Sequence, residues 1–148
     1  MQIIAANKRA SYNYSIISKI DAGIVLYGSE VKSLRINTGS IKESYINEKN
    51  GELWITNCFI KIYSASSYDN KNPTRERKLL LSKKELNKII GSIKKEGMSI
   101  IPLCLYFNKK GLAKLTIGLA KGKRKQDKRA AIKEKEWNIK KLRILKKN

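Results

Sequence analysis

The sequence of 148 residues predicts a mainly β fold with helices, a small antiparallel barrel or sandwich, followed by a basic C-terminal tail. Three observations predict it. Short apolar stretches are separated by turn signals, a well-capped helix sits between two hairpin patterns, and the composition changes sharply after Ala120. Helices and strands do not alternate, which disfavours a parallel α/β sheet.

Met1 to Ala10 holds only the apolar stretch Ile3 to Ala6, too short for a signal-peptide core or a membrane span. From Ser11 to Ile20, Tyr12 and Tyr14 alternate with Ser11, Asn13 and Ser15, and this period of two predicts a half-buried strand. Asp21-Ala22-Gly23 then predicts a turn and Ile24 to Tyr27 a returning strand. Ser29 is the expected N-cap of a short helix over Glu30 to Ile36, ended by Asn37-Thr38-Gly39. Ile41 to Glu48 and Glu52 to Ile60 flank Asn50-Gly51, one of the strongest short hairpin signals.

Lys61 to Arg77 contains Pro73 and alternating charge without a period, and predicts an exposed loop. Ser82-Lys83-Lys84-Glu85 matches a capping box, in which the hydroxyl and the carboxylate satisfy free amides at a helix start. The helix should run to Lys95 with Leu86, Ile89, Ile90 and Ile93 on one face, and Gly97 is its natural stop. Met98 to Phe107 and Leu112 to Leu119 are two further strands around a turn at Asn108 to Gly111.

Lys and Arg number 33 against 12 Asp and Glu, a formal net charge of +21. Self-repulsion on that scale opposes folding, so a polyanionic partner that neutralises it is expected, nucleic acid first and an anionic membrane surface second. The absence of histidine excludes Ser-His and Cys-His nucleophilic pairs. Cys58 and Cys104 lack a Cys-x-x-Cys spacing and are read as reduced core residues of a cytoplasmic chain. No cofactor and no enzymatic activity are expected. A metal-dependent nuclease using Asp21, Glu30 or Glu43 stays formally open, although nothing in the sequence makes these carboxylates converge.

Residues 1–120 are taken as the RNA-binding domain and 121–148 as the tail. The tail carries thirteen Lys and Arg against Asp127, Glu134 and Glu136. Helix formers from Ala130 onward permit a helix, but Ile132, Ile139 and Leu142 lie on one side and Trp137 and Ile144 on another. Adjacent lysines repel, so the free tail is expected to be disordered and to order when phosphates neutralise it. A merely solubilising tail and a membrane-surface helix are the competing readings, the latter weakened by the split apolar faces.

In the body, Asn7-Lys8-Arg9 beside Tyr12 and Tyr14 interleaves charge with aromatic rings, as stacking on nucleobases requires. Packing inside the fold is an equal reading for the two tyrosines. Arg75, Arg77 and Lys78 end the long loop, where they could reach phosphates or simply be solvated. Asp21 reads as a turn residue and Glu30 as a helix N-terminal charge, yet either could accept hydrogen bonds from base edges.

Asn7-Lys8-Arg9-Ala10, Ala22-Gly23, the run Gly28-Ser29-Glu30-Val31-Lys32-Ser33-Leu34-Arg35, Pro73-Thr74-Arg75 with Arg77-Lys78-Leu79-Leu80-Leu81, and Gly118 to Lys123 through Asp127-Lys128-Arg129 together resemble the SsrA-binding protein family, also called small protein B. The motifs span nearly the whole chain. The resemblance implies an antiparallel oligonucleotide-binding-type β-barrel with accessory helices. It also implies binding to the tRNA-like part of transfer-messenger RNA (tmRNA) and its delivery, with GTP-bound elongation factor Tu, to stalled ribosomes for trans-translation. The tail would enter the empty messenger channel and fold as a helix beside the decoding centre. A monomer is expected, with no membrane contact. A ribosomal or initiation-factor-like RNA-binding module is the alternative.

By position, Asn7, Tyr14, Asp21, Glu30, Leu80 and Lys114 correspond to the family's tmRNA-binding surface. Gly23, Lys32, Lys121, Gly122 and Lys123 lie in the matching motifs and join Lys8, Arg9, Arg75, Arg77 and Lys78 in the expected RNA-binding set. Asp127, Lys128 and Arg129 correspond to the tail motif, and Lys125, Gln126, Ile132, Lys133, Trp137 and Lys140 complete the expected ribosome-binding tail. Asp21 stands where Glu is common, and Tyr12 and Gln126 stand where some members have histidine.

Overall fold

In the computed structural model, which describes residues 1–36, 39–63, 72–122 and 135–140, seven strands and three helices precede a helical segment at 135–140. In chain order they are β1 (Gln2–Ala6), α1 (Ala10–Asn13), β2 (Tyr14–Ile24), α2 (Gly28–Ile36), β3 (Tyr45–Lys49), β4 (Glu52–Thr56), β5 (Arg77–Leu80), α3 (Lys83–Glu96), β6 (Ser99–Phe107) and β7 (Ala113–Gly122). The strands form one antiparallel sheet in the order β1-β6-β7-β2-β5-β4-β3. Its edges are β1 and β3, which are not paired with each other in that order. The architecture is therefore mainly antiparallel β with a few helices.

The local signals that needed no tertiary partner behave as expected. Asn50 and Gly51 adopt φ of 54° and 78°, and they turn β3 into β4 with Lys49 opposite Glu52. Ser82 caps α3 by accepting from the Glu85 amide, and Gly97 ends the helix at φ 63°. Leu86, Ile89 and Ile93 face the core, with Ile89 fully buried. Burying a side chain of that size contributes roughly 1.5–3 kcal/mol. Alternation along β2 and β7 sends Ala22, Ile24, Leu115, Ile117 and Leu119 to the same core, where Leu34 of α2 joins them. Cys58 lies buried in that core, Cys104 is half-buried, and both are free thiols. Burial pushes the Cys58 thiol up to about 11, so it is inert at neutral pH.

Other expectations are overturned. Residues 11–13 belong to α1, because buried Ala10 anchors a short turn of helix in a second apolar cluster with Ile101, Ala120, Tyr14, Ile16 and Leu103. Asp21-Ala22-Gly23 is no turn but part of β2, since nine residues of that strand pair with β7 from Tyr14 opposite Gly122 to Gly23 opposite Lys114. A long ladder, unbroken from Ser18 to Gly23, outweighs local turn propensity. Only Ile24 of the expected strand to Tyr27 is in a strand, although the Val25 amide still donates to the Lys78 carbonyl at 2.9 Å.

The helix begins at Gly28 rather than Glu30, because Glu30 reaches back to accept from the Tyr27 amide at 2.8 Å. β1 and β5 were not foreseen. The end of the expected exposed loop is in fact half-buried from Pro73 to Glu76, and buried Arg77 opens β5. The turn at Asn37-Thr38 and residues 64–71 lie outside the described residues. β7 extends to Gly122, so the first two residues assigned to the tail are paired with Ser15 and Tyr14.

Candidate nucleic-acid interface

Register across β6, β7, β2 and β5 decides which residues share the outer face of the sheet. Tyr106 lies opposite Lys114, Lys114 opposite Gly23, and Gly23 opposite Leu80, so one row crosses four strands. Leu80 is 51% exposed, an unusual position for a leucine beside polar neighbours. A Cβ on Gly23 would sit 3.2 Å from the Leu80 Cβ, so the glycine lets Leu80 lie flat across β2. The next row places Cys104 opposite Thr116 and Thr116 opposite Asp21. Thr116 Oγ1 donates to Asp21 Oδ1 at 2.7 Å.

Asn7, Lys19, Asp21, Tyr106 and Thr116 line one groove on this face. Asn7 is fixed there by its Nδ2 donating to the Pro102 carbonyl at 3.2 Å and its backbone amide donating to the Leu103 carbonyl at 2.8 Å. The fold thus brings Asn7, Asp21, Gly23, Leu80 and Lys114 onto one surface, from three strands and the segment before α1. Lys8 and Arg9 are exposed at the start of α1. Lys121 and Gly122 are exposed where β7 pairs with the residues following that helix. Tyr14 is half-buried in the second apolar cluster. Cations at this end are placed to neutralise phosphates, and the grooved face presents polar groups of the kind that contact bases.

Glu30, Arg75 and Arg77 form a different unit. Glu30 is 5% exposed and Arg77 is fully buried. Arg77 Nε donates to Glu30 Oε2 at 2.7 Å, Nη1 to the Cys58 carbonyl at 2.6 Å and Nη2 to the Pro73 carbonyl at 3.1 Å. Arg75 Nε donates to Glu30 Oε2 at 3.2 Å, and its Nη2 pairs with Oε1. Burial pushes the Glu30 carboxyl upward, but hydrogen bonds from Arg75, the Tyr27 amide and Arg77, together with the Arg77 charge, hold it below the ordinary carboxylate value. One carboxylate therefore ties α2, β5 and the 73–77 segment together. Glu30 and Arg77, both in the expected RNA-binding set, are thus buried.

Arg75 stacks on the Tyr27 ring at 4.1 Å, and that ring is 48% exposed. Lys78 pairs with Glu52 at 3.0 Å between two partly exposed side chains, a bridge worth about 0–1 kcal/mol and easily exchanged for a phosphate. Exposed Lys32 lies 6.0 Å from the Tyr63 ring centre. Sequence reasoning missed Tyr106, Thr116, Lys19 and Tyr27. Tyr106 and Thr116 become neighbours of Asp21 only through strand register, Lys19 precedes Asp21 by two residues on β2, and the signal for Tyr27 was a lone aromatic before a helix.

Lys123, Lys125, Gln126, Asp127, Lys128, Arg129, Ile132 and Lys133 lie outside the described residues. In the helical segment 135–140, Lys135 Nζ donates to the Tyr12 hydroxyl at 2.6 Å and lies 5.1 Å from its ring centre. Trp137 is 54% exposed, and Lys140 is also exposed. Among the described residues no group of three or more His, Cys, Asp or Glu could hold a metal ion. Among them, too, no helix is long and apolar enough to cross a membrane.

The family described as SmpB protein matches residues 4–147. The SsrA-binding protein of Ehrlichia canis (strain Jake) is 53% identical over 148 residues, covering all of both chains. That of Wolbachia pipientis subsp. Culex pipiens (strain wPip) is 49% identical, covering all of this chain and 99% of the relative. The fold is similar to a solved chain described under "tmRNA-SmpB: a journey to the center of the bacterial ribosome". Its TM-score is 0.65 at 42% identity, over 86% of this chain and 92% of that one.

Proposed function

The chain belongs to the SmpB protein family, and from that premise we propose that it binds tmRNA and brings it to ribosomes for trans-translation. The observation that carries the reading is the register that gathers Asn7, Asp21, Gly23, Leu80 and Lys114 on one outward face. Sequence had scattered these residues over more than a hundred positions. That face meets the elbow of the tRNA-like domain, Lys8, Arg9 and Lys121 take adjoining phosphates, and Arg75 and Lys78 border the Leu80 side. Glu30 and Arg77 act beneath it by fixing β5, which carries Leu80.

The sheet works as an oligonucleotide-binding-type barrel. Support for that comes from its curl, since Ser44 to Glu48 and Met98 to Pro102 line one groove together, although β3 and β6 are far apart in the strand order. Residues beyond Gly122 form the ribosome-facing tail, and Asp127, Lys128, Arg129 and Trp137 probe the decoding centre and messenger channel. Elongation factor Tu joins through the tmRNA complex in the cytoplasm. The protein itself makes and breaks no bond.

Sequencing the RNA that copurifies with the protein tests the partner, and tmRNA should dominate; a pool led by ribosomal RNA alone would refute it. Truncation after Gly122, which leaves the β2–β7 ladder intact, should preserve tmRNA affinity within about threefold while abolishing peptide tagging on stalled ribosomes. A loss of more than tenfold in tmRNA affinity would refute the division of labour.

A further inference from the structure

The helical segment near the C-terminus does not stand clear of the body. Gly122 pairs with Tyr14, so the chain leaves the sheet two residues from Tyr12. Fully extended, the stretch from Gly122 to Lys135 would carry Lys135 about 45 Å away. Lys135 lies back at that exit instead, where its Nζ donates to the Tyr12 hydroxyl at 2.6 Å. The same nitrogen is 5.1 Å from the ring centre, so the hydroxyl is the main acceptor and the ring a secondary one.

Long-range electrostatics does not bring these groups together. Lys8 and Arg9 immediately precede α1, and like charges there oppose the approach of another cation. The attraction is local, and it sits on a fixed platform. Ala10 is 5% exposed and anchors α1 in the second apolar cluster, while Tyr12 on the same turn is 39% exposed. A phosphate adds opposite charge to the hydrogen bond that the neutral phenol makes, so it outcompetes the phenol for Lys135. Lys8 and Arg9 draw phosphates to this end of the molecule.

We propose that Tyr12 is the docking site for the chain's own C-terminal segment, and that it holds Lys135 on α1 until an RNA phosphate displaces it. This goes beyond the proposed function, which gives the tail a role only on the ribosome and gives Tyr12 none. An exposed contact of this kind shifts an equilibrium about two- to fivefold, so the restraint is light and readily exchanged.

The test uses the full-length protein with Cys104→Ser and a nitroxide on Glu136→Cys, a position beside Lys135 that faces another side of the helix. Cys58 is buried and inert, so it does not take the label. In the NMR spectrum of the free protein the nitroxide should broaden the amide signals of Ser11 and Tyr12. Tyr12→Phe and Lys135→Ala should each cut that broadening at least about twofold. Both side chains are exposed, so neither change threatens the fold. Equal broadening in all three proteins would show that nearness to Gly122 alone places the segment there, and overturns the docking site. A single-stranded uridine oligonucleotide should remove the excess broadening of the wild type over Tyr12→Phe; an excess that survives saturation overturns displacement by phosphate.

Affinity for the same oligonucleotide separates docking from a direct contact between Tyr12 and RNA. Tyr12→Phe keeps the ring and removes only the oxygen, so base stacking predicts unchanged affinity and a hydrogen bond to RNA predicts weaker binding. Docking predicts the opposite sign, a gain of about threefold, because binding no longer works against the docked fraction. Unchanged or weaker affinity overturns the restraint. None of these outcomes involves tmRNA, so they leave the proposed function to its own experiment.

Discussion

Glu30→Gln separates a structural role for this acid from direct contact with RNA. The substitution keeps one carbonyl acceptor for the Tyr27 amide, but it removes the charge that pairs with Arg75 and Arg77. Arg77 is fully buried and retains only the Cys58 and Pro73 carbonyls as partners. Removing one member of a buried pair costs about 3–5 kcal/mol, chiefly because the remaining charge is uncompensated. The lower end applies, since those two carbonyls still solvate the guanidinium. At about 3–4 °C per kcal/mol for a body of this size, the midpoint should drop about 10 °C.

Thermal unfolding followed by circular dichroism measures the shift, and tmRNA affinity is then compared well below both midpoints. The buried position predicts an affinity within about threefold of wild type at low temperature. Adding Arg77→Met should recover part of the lost stability, because it removes the orphaned charge. An unchanged midpoint together with a large loss of affinity would refute the reasoning and return Glu30 to the RNA surface.

The same carboxylate predicts an acid limb of stability. Its folded pKa lies below the ordinary value of 4.5, so it stabilises the fold at neutral pH, and that contribution fades as pH falls through 4.5 toward the folded value. Denaturant unfolding at a series of pH values should show wild type losing more stability than Glu30→Gln between about pH 5 and pH 3; parallel curves would contradict it. Gly23→Val should push Leu80 off the surface row, because even a Cβ there meets the Leu80 Cβ at 3.2 Å. Gel-shift titration should show at least about a fivefold loss of tmRNA affinity, with Gly23→Ala intermediate, and equal affinities for all three proteins would dissociate Leu80 from binding.

Much of the fold was legible where a local signal and its structure coincide. Asn50-Gly51 needs only its own φ preference to turn a hairpin, and Ser82 with Glu85 needs only the free amides of its own helix. The β6–β7 hairpin follows from two apolar runs about a short turn, with the Gly111 amide donating to the Asn108 carbonyl at 3.0 Å. Asp21-Ala22-Gly23 misled because turn chemistry is also what a strand uses where it must accept a neighbour's side chain closely. β1 and β5 are short, and their sequences lack an apolar–polar alternation. Each is specified by a distant partner, β6 for one and β2 with β4 for the other.

Composition alone determined a polyanion partner, since repulsion among 33 cations is independent of where the chain places them. Motif order narrowed that partner to tmRNA and identified Asn7, Asp21, Leu80 and Lys114 as positions of interest. Tertiary structure decided which charges reach the surface. Arg75, Arg77 and Lys78 look equivalent along the chain, yet strand alternation and the Glu30 carboxylate bury Arg77, stack Arg75 on Tyr27 and leave Lys78 partly exposed. Only register placed Thr116 and Tyr106 beside Asp21, because contact across strands depends on pairing and not on separation in sequence. Charge is a property of residues, whereas a site is a property of their neighbours.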